Sequence, residues 1–319
     1  MVTLARIDTH QHIVPAAYAA WLTDNGIPGM PHPRWSPAIA LELMDRQGIA
    51  SAVLSVSTPG VHLGDDREAR IKAREVNDYT AEVVAARPDR FGFFATLTLP
   101  DVAGAIEEAV YALDVLGADG VVLMSNVGNA YLGQAAWDPL MAELNRRAAV
   151  VLVHPNELPA PELPGIPGHA ADFLLNTTRA AINMARAGYM QRFPDLKIIL
   201  SHAGGFLPYA AERMARQCSP DGDHEAGLAN LRRFYFDTAL SSSPYALACL
   251  LAFADPDKIT FGSDFPHASA SRVDHFTRLL DACPLDGAQR EAISRGNAQA
   301  LFPRLSARGE RALQTGTPA

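Results

Sequence analysis

Residues 150–155 read Val-Val-Leu-Val-His-Pro. Four apolar residues stand in a row and end at a histidine, with no alternation of polar and apolar positions. Such a run reads as a strand buried on both faces, which a parallel sheet flanked by helices requires. Similar runs recur outward in both directions: Ala5–Thr9, Ser51–Val56, Phe91–Leu97, Gly120–Met124, Lys197–Ser201, Phe234–Thr238 and Lys258–Gly262. Helical patterns lie between them. Ser36-Pro37 opens one as N-cap and first-turn proline, and Gly48 closes it. Asp101 opens another, with Ala105, Ile106, Ala109, Val110 and Leu113 at helical spacing. Further patterns cover about Asp66–Ala86, Trp137–Ala148, Phe173–Phe193, Pro208–Gln217, Pro244–Ala254 and Leu285–Arg295. Eight strands alternating with helices predict an α/β fold, a (β/α)8 TIM barrel. The barrel is expected to be distorted, with long loops at Thr23–Pro37 and Pro155–Pro167 over its C-terminal face. A single domain is expected over residues 1–303, with a flexible tail at 304–319.

Composition agrees. The chain has 319 residues, 48% hydrophobic and 19% charged, enough to bury a large core. Its net charge is −8, from 27 basic and 35 acidic side chains, and no basic run tracks phosphates. Nucleic-acid and anionic-membrane partners are therefore not expected. The apolar run Ala246–Ala254 is too short to span a bilayer. Cys218, Cys249 and Cys283 are odd in number and far apart, so they suggest neither a disulfide framework nor a thiolate metal site. With no signal-peptide pattern at the N-terminus, a cytoplasmic location is the expectation.

In a TIM barrel, chemistry sits where the strands end. Strand one delivers His10 and His12, two residues apart and hence on one side of the strand. Strand five delivers His154, strand six His202, and strand eight Asp264. Each signal is weak alone: a histidine can be a satisfied core residue, and an aspartate can be a helix N-cap. Together they place three histidines and a carboxylate at one end of one barrel. His10, His12, His154 and Asp264 are a mixed nitrogen and oxygen set suited to a divalent metal, zinc foremost and manganese second. His202 stands beside them as an outer group. Gln11, between the two first histidines, is expected to point into the packing.

The motifs IDTHQH, VLVHP, ILSHAGGFLP, ITFGSDFP and GNAQALF, in this order and on these strands, resemble the amidohydrolase superfamily over about residues 5–302. The resemblance is closest to its mononuclear, metal-dependent, non-oxidative decarboxylases, the aminocarboxymuconate-semialdehyde and 6-methylsalicylate group. Relatives that bind two metals carry a carboxylated lysine at the end of strand four. This chain has only Lys72, Lys197 and Lys258, none of them there; strand four ends in Ser125 and Asn126. One divalent ion per subunit is implied. The resemblance further implies Asp264 as proton donor or shuttle, and His202 as general base or hydrogen-bond partner of the substrate. It implies Arg213 as a carboxylate clamp reaching a neighbouring subunit, hence a homodimer or higher homo-oligomer; a surface helix arginine is the other reading.

Further substrate contacts are open to two readings each. Arg34 and Trp35 lie on the first long loop, over the mouth or as a packing anchor. Phe94 and Phe265 either stack on an aromatic ring or belong to the core. Arg179 faces the pocket or solvent. His267 is an added substrate contact or a group supporting the ligands, while His32, His62, His169, His224 and His275 are expected to be solvated. Gly205 occupies a position where some relatives have glutamate.

The leading expectation is decarboxylation of a small hydroxylated aromatic acid with release of CO2. A mononuclear hydrolase of a lactone or amide uses the same ligands. A hydratase of an unsaturated dicarboxylate is a third possibility, and an inactive binding scaffold a fourth.

Overall fold

The computed structural model of the protein describes residues 5–27, 33–161 and 163–305. His32 and residues 306–319, most of the expected tail, lie outside them. Eight parallel strands form one sheet in sequential order: β1 (Arg6–His12), β2 (Ile49–Ser55), β3 (Phe91–Thr96), β4 (Gly120–Met124), β5 (Val150–His154), β6 (Lys197–Leu200), β7 (Tyr235–Asp237) and β8 (Ile259–Thr260). The sheet curls round so that Thr9 N–H donates to the Phe261 carbonyl at 2.9 Å, joining the first strand to the end of the last. This is the (β/α)8 barrel that the alternation predicts.

The helices begin where their local chemistry dictates. Ser36 accepts from Ile39 N–H with Pro37 behind it, and Gly48 ends that helix at φ 65°. Asp65 caps helix Asp66–Ala86 and Asp101 caps Val102–Tyr111. Each supplies a side-chain acceptor to an otherwise unpaired first-turn N–H. Four helices went unread from sequence: Ala16–Asp24, His224–Arg232, Ala270–Ala282 and Asn297–Leu301. The first is apolar almost all round, so it shows little helical periodicity. Beyond β4 a small antiparallel ribbon, Asn126–Val127 against Ala130–Tyr131, also escaped the reading.

The barrel interior divides along its axis. At the strand starts, Ile7, Val53, Phe94, Val122, Val150, Leu152 and Ile199 fill it with hydrocarbon. Ala298, Leu301, Phe302 and Leu305 plug this end from below. Arg304 pairs with Asp119, and Leu305 is buried. At the strand ends the filling becomes polar. No helix among the described residues is long and apolar enough to cross a membrane.

Candidate metal centre

Alternation along the strands decides what faces inward. On β5, Val150, Leu152 and His154 share the inner face, two of them in the hydrocarbon layer and the third above it. On β1, His10 and His12 point in, while Gln11 is buried behind them and donates to Asp8 at 3.0 Å, as expected. His202 follows β6 and Asp264 follows β8.

His10, His12, His154 and Asp264 present ligand atoms that all lie within 4.8 Å of one another. All four are buried. His10 Nε2 stands 3.1 Å from His12 Nε2, and Asp264 Oδ1 lies 3.1 Å from His12 Nε2 and 3.5 Å from His10 Nε2. Asp264 Oδ2 faces His202 Nε2 at 3.7 Å.

The outer ring nitrogens explain why these atoms converge. His12 Nδ1 faces the Ser55 carbonyl at 3.1 Å, and His154 Nδ1 faces the Pro155 carbonyl at 2.8 Å. A carbonyl only accepts, so both Nδ1 atoms carry the proton and both Nε2 atoms keep a lone pair. His10 Nδ1 meets the Asp237 carboxylate at 2.7 Å. Lone pairs of like kind then crowd round one point together with a carboxylate oxygen, an arrangement that calls for a cation. Outer partners of this sort fix the tautomer and raise ligand basicity. The donor set therefore fits one divalent metal.

The electrostatics of the cluster agree. Burial alone would lower the pKa of His10, but the carboxylates of Asp237 and Asp264 outweigh it and raise it to about 9. Burial, then the neighbouring rings of His12 and His10, holds His154 well below its usual value. Burial would raise Asp264, yet the adjoining His12 and His202 rings and the charge of His10 keep it well below the carboxylate range.

Several backbone features serve this geometry. His202, Ala203 and Asp264 adopt positive φ (55°, 56° and 60°), a strained conformation for residues with side chains that clusters at functional sites. Gly262 lets His10 approach: a Cβ there would sit 2.9 Å from His10 Cβ. Gly205, at φ +67°, would place a Cβ 2.1 Å from the Leu174 carbonyl oxygen. The helix Gly168–Arg186 thus leaves no room for a side chain at this position.

Sequence reasoning missed two groups. Asp237 ends β7 and accepts from His10 Nδ1, from His202 N–H and from Ala239 N–H, the latter two both at 2.9 Å. Its signal was the one that singles out His154, a polar residue ending an apolar strand. Asp8 accepts from the backbone N–H of His10 and of Ser263, tying β1 to the β8 turn, and burial pushes its pKa up to about 6.

The remaining expected site residues are not part of the cluster. Phe94 lies in the lower hydrocarbon layer, edge-on to Phe302 at 5.7 Å, as the core reading has it. Phe265 is buried beside Asp264, and its carbonyl accepts from His12 N–H at 2.6 Å. Trp35 is half-buried on the core, whereas Arg34 and Arg213 are exposed. Arg179 is exposed and donates to Tyr131 Oη. His267 is partly buried, with its ring 5.0 Å from His12. His169 and His275 are exposed, and His224 is partly exposed against Glu212 at 3.0 Å. His62 departs from expectation: its side chain is mostly enclosed and pairs with Asp66 at 2.8 Å.

A family model described as amidohydrolase matches residues 7–304. The decarboxylase yanB of Aspergillus niger is 39% identical, over 94% of this chain and 88% of that protein. The 6-methylsalicylic acid decarboxylase of Penicillium expansum is 37% identical, over 95% of this chain and 97% of that protein. Among solved structures, a dihydroxybenzoic acid decarboxylase from Polaromonas sp. JS666 superposes with a TM-score of 0.81 at 25% identity. The match covers 94% of this chain and 97% of that one, and that structure holds manganese and the inhibitor 2-nitroresorcinol. By its motifs, its barrel, its ligand cluster and these matches, the chain belongs to the amidohydrolase family.

Proposed function

We propose that the protein is a carboxy-lyase: a metal-dependent, non-oxidative decarboxylase of a small hydroxylated aromatic acid of the 6-methylsalicylate kind. The observation that carries this is the division of labour in one carboxylate. Asp264 Oδ1 lies among the ligand nitrogens, while Oδ2 faces His202. The relatives named as aromatic-acid decarboxylases support the substrate class.

A divalent ion would supply positive charge to bind and polarise an anionic substrate. His10, His12, His154 and Asp264 would hold it. Zinc suits three imidazoles and a carboxylate, and the manganese of the Polaromonas structure supports manganese as the second choice. Asp264, ionised at rest, acts as the shuttle: it takes a proton from the His202 side, 3.7 Å away, and passes it to the ring carbon that bears the carboxylate. The C–C bond electrons then return to the ring as CO2 departs, so one proton is taken up for each CO2 released. Buried walls exclude water, which strengthens every charge interaction in the site.

Arg34, Trp35 and Phe265 are assigned to the substrate side. Trp35 offers an indole N–H that is buried and meets no acceptor among the described residues. Arg213 is assigned to a carboxylate clamp at a subunit contact. It lies exposed on helix Leu207–Met214, on which Tyr209 is uncovered, and Tyr245 is uncovered on the contacting helix Pro244–Phe253. Such an aromatic surface suits a second copy of the chain. A cytoplasmic location agrees with three free cysteines.

The test is to incubate the metal-loaded protein with hydroxybenzoates, lactones and unsaturated diacids. Release of CO2 in step with loss of a hydroxybenzoate is the expected result. Ring opening of a lactone without CO2 would establish the hydrolase reading instead.

A further inference from the structure

Behind His154 lies a buried polar network that ligand binding does not use. The peptide joining Pro155 to Asn156 is its pivot. Its carbonyl accepts from His154 Nδ1 at 2.8 Å, and its N–H, on the other side of the same rigid plane, donates to Asn176 Oδ1 at 3.2 Å. Asn176 sits on helix Gly168–Arg186, fully buried. Its Nδ2 donates to Asn126 Oδ1 at 2.8 Å, and Asn126 Nδ2 in turn donates to the carbonyls of Gly128 and Glu157. Asn156 Nδ2 donates to the Asn126 carbonyl at 3.1 Å, and Thr58 donates to Asn156 Oδ1.

We infer that Asn176 is the positioning residue of His154: through the Pro155–Asn156 peptide it sets the orientation and tautomer of that ligand. The peptide plane is stiff, so rotating its carbonyl away from His154 rotates its N–H away from Asn176. No residue of β5 itself does this work. Pro155 lacks an N–H, and the plane is held only from the Asn156 side. The long loop that follows, which is solvent-exposed over much of its length, would otherwise leave that plane free to turn. Asn176 thereby couples the helix after strand five to the metal centre without touching it. This rests on the reading of His154 as a ligand.

The test compares Asn176→Leu with Thr177→Val. Thr177 is equally buried on the same helix, but its hydroxyl bonds only within the helix, to the Phe173 carbonyl. In metal-free protein labelled with 15N at histidine, the parent His154 ring is expected as the Nδ1–H tautomer. Asn176→Leu is expected to shift it toward a mixture, and Thr177→Val to leave it unchanged. Zinc dissociation constants, measured by chelator competition, should rise about tenfold or more in Asn176→Leu, the size usual for lost support of a metal ligand. If Asn176→Leu fails to fold, Asn176→Ser takes its place in both measurements. An unchanged tautomer in the folded Asn176 variant, or equal weakening of zinc binding by both substitutions, would overturn the inference. Failure of the parent to bind zinc would count against the metal reading, and the ring tautomer would still decide the role of Asn176.

Discussion

The two ends of the barrel interior are built from the same strands and behave as opposites. Below, Ile7, Val53, Phe94, Val122, Val150, Leu152 and Ile199 close on the Phe302 plug. Above, His10, His12, His154, Asp237 and Asp264 are equally buried but ionisable. One end consists of groups that gain by leaving water. The other consists of groups whose burial costs free energy unless each finds a partner. A few residues of strand separate the two, so stability and chemistry can change nearly independently.

The sharpest way to break this comparison is at Asp264. Asp264→Ala should reduce turnover by about a thousandfold or more, since it removes a metal ligand and the proton shuttle together. Thermal unfolding should stay cooperative, with secondary structure unchanged by circular dichroism. Near-normal turnover would remove Asp264 from the reaction. The converse cut is Phe302→Ala at the lower end. Loss of a buried aromatic plug should lower stability by about 3–5 kcal/mol. Chemical denaturation measures that, while zinc stoichiometry per folded molecule should not move. A fall in metal binding equal to that of a ligand variant would show that the two ends are not separable.

A subtler test uses protons. In the ion-free protein His10 is held protonated up to about pH 9 by Asp237 and Asp264, against the effect of burial. An incoming metal has to displace that proton, so binding at pH 7 should release about one proton. Apparent affinity should climb from pH 7 towards 9 and then level off. Calorimetry in two buffers of different ionisation enthalpy measures the release; affinity flat across that range would contradict it. The smallest effect is expected at the rim. Arg213→Ala should raise KM several-fold and leave kcat nearly unchanged in dilute assays, if the arginine clamps a carboxylate on the ground-state and transition-state complexes alike.

The upper end was legible in sequence because its polar groups fall at or just past the strand ends. His154 after Val150–Val153 and His202 after Ile198–Leu200 stand out against their surroundings. Asp237 carries the same signal more faintly, since β7 is only three residues long and opens on Tyr235. Asp8 was invisible: its role depends on backbone N–H groups, one of them 255 positions away. Phe94 was open to two readings because an inward-facing aromatic on a barrel strand can lie in either layer, and only the register of β3 on β4 places it low. The Asn126–Asn156–Asn176 network was beyond reach for a similar reason. It spans three elements that the topology brings together and no spacing announces.

The central claim is that the upper end removes CO2 from a hydroxylated aromatic acid and puts a proton in its place. The most direct measurement supplies carboxyl-13C 6-methylsalicylate to the metal-loaded protein in D2O. The account predicts one equivalent of 13CO2 for each aromatic product, with deuterium at the ring carbon that bore the carboxylate. Label retained in the aromatic acid, while a lactone or an unsaturated diacid is turned over under the same conditions, would contradict it.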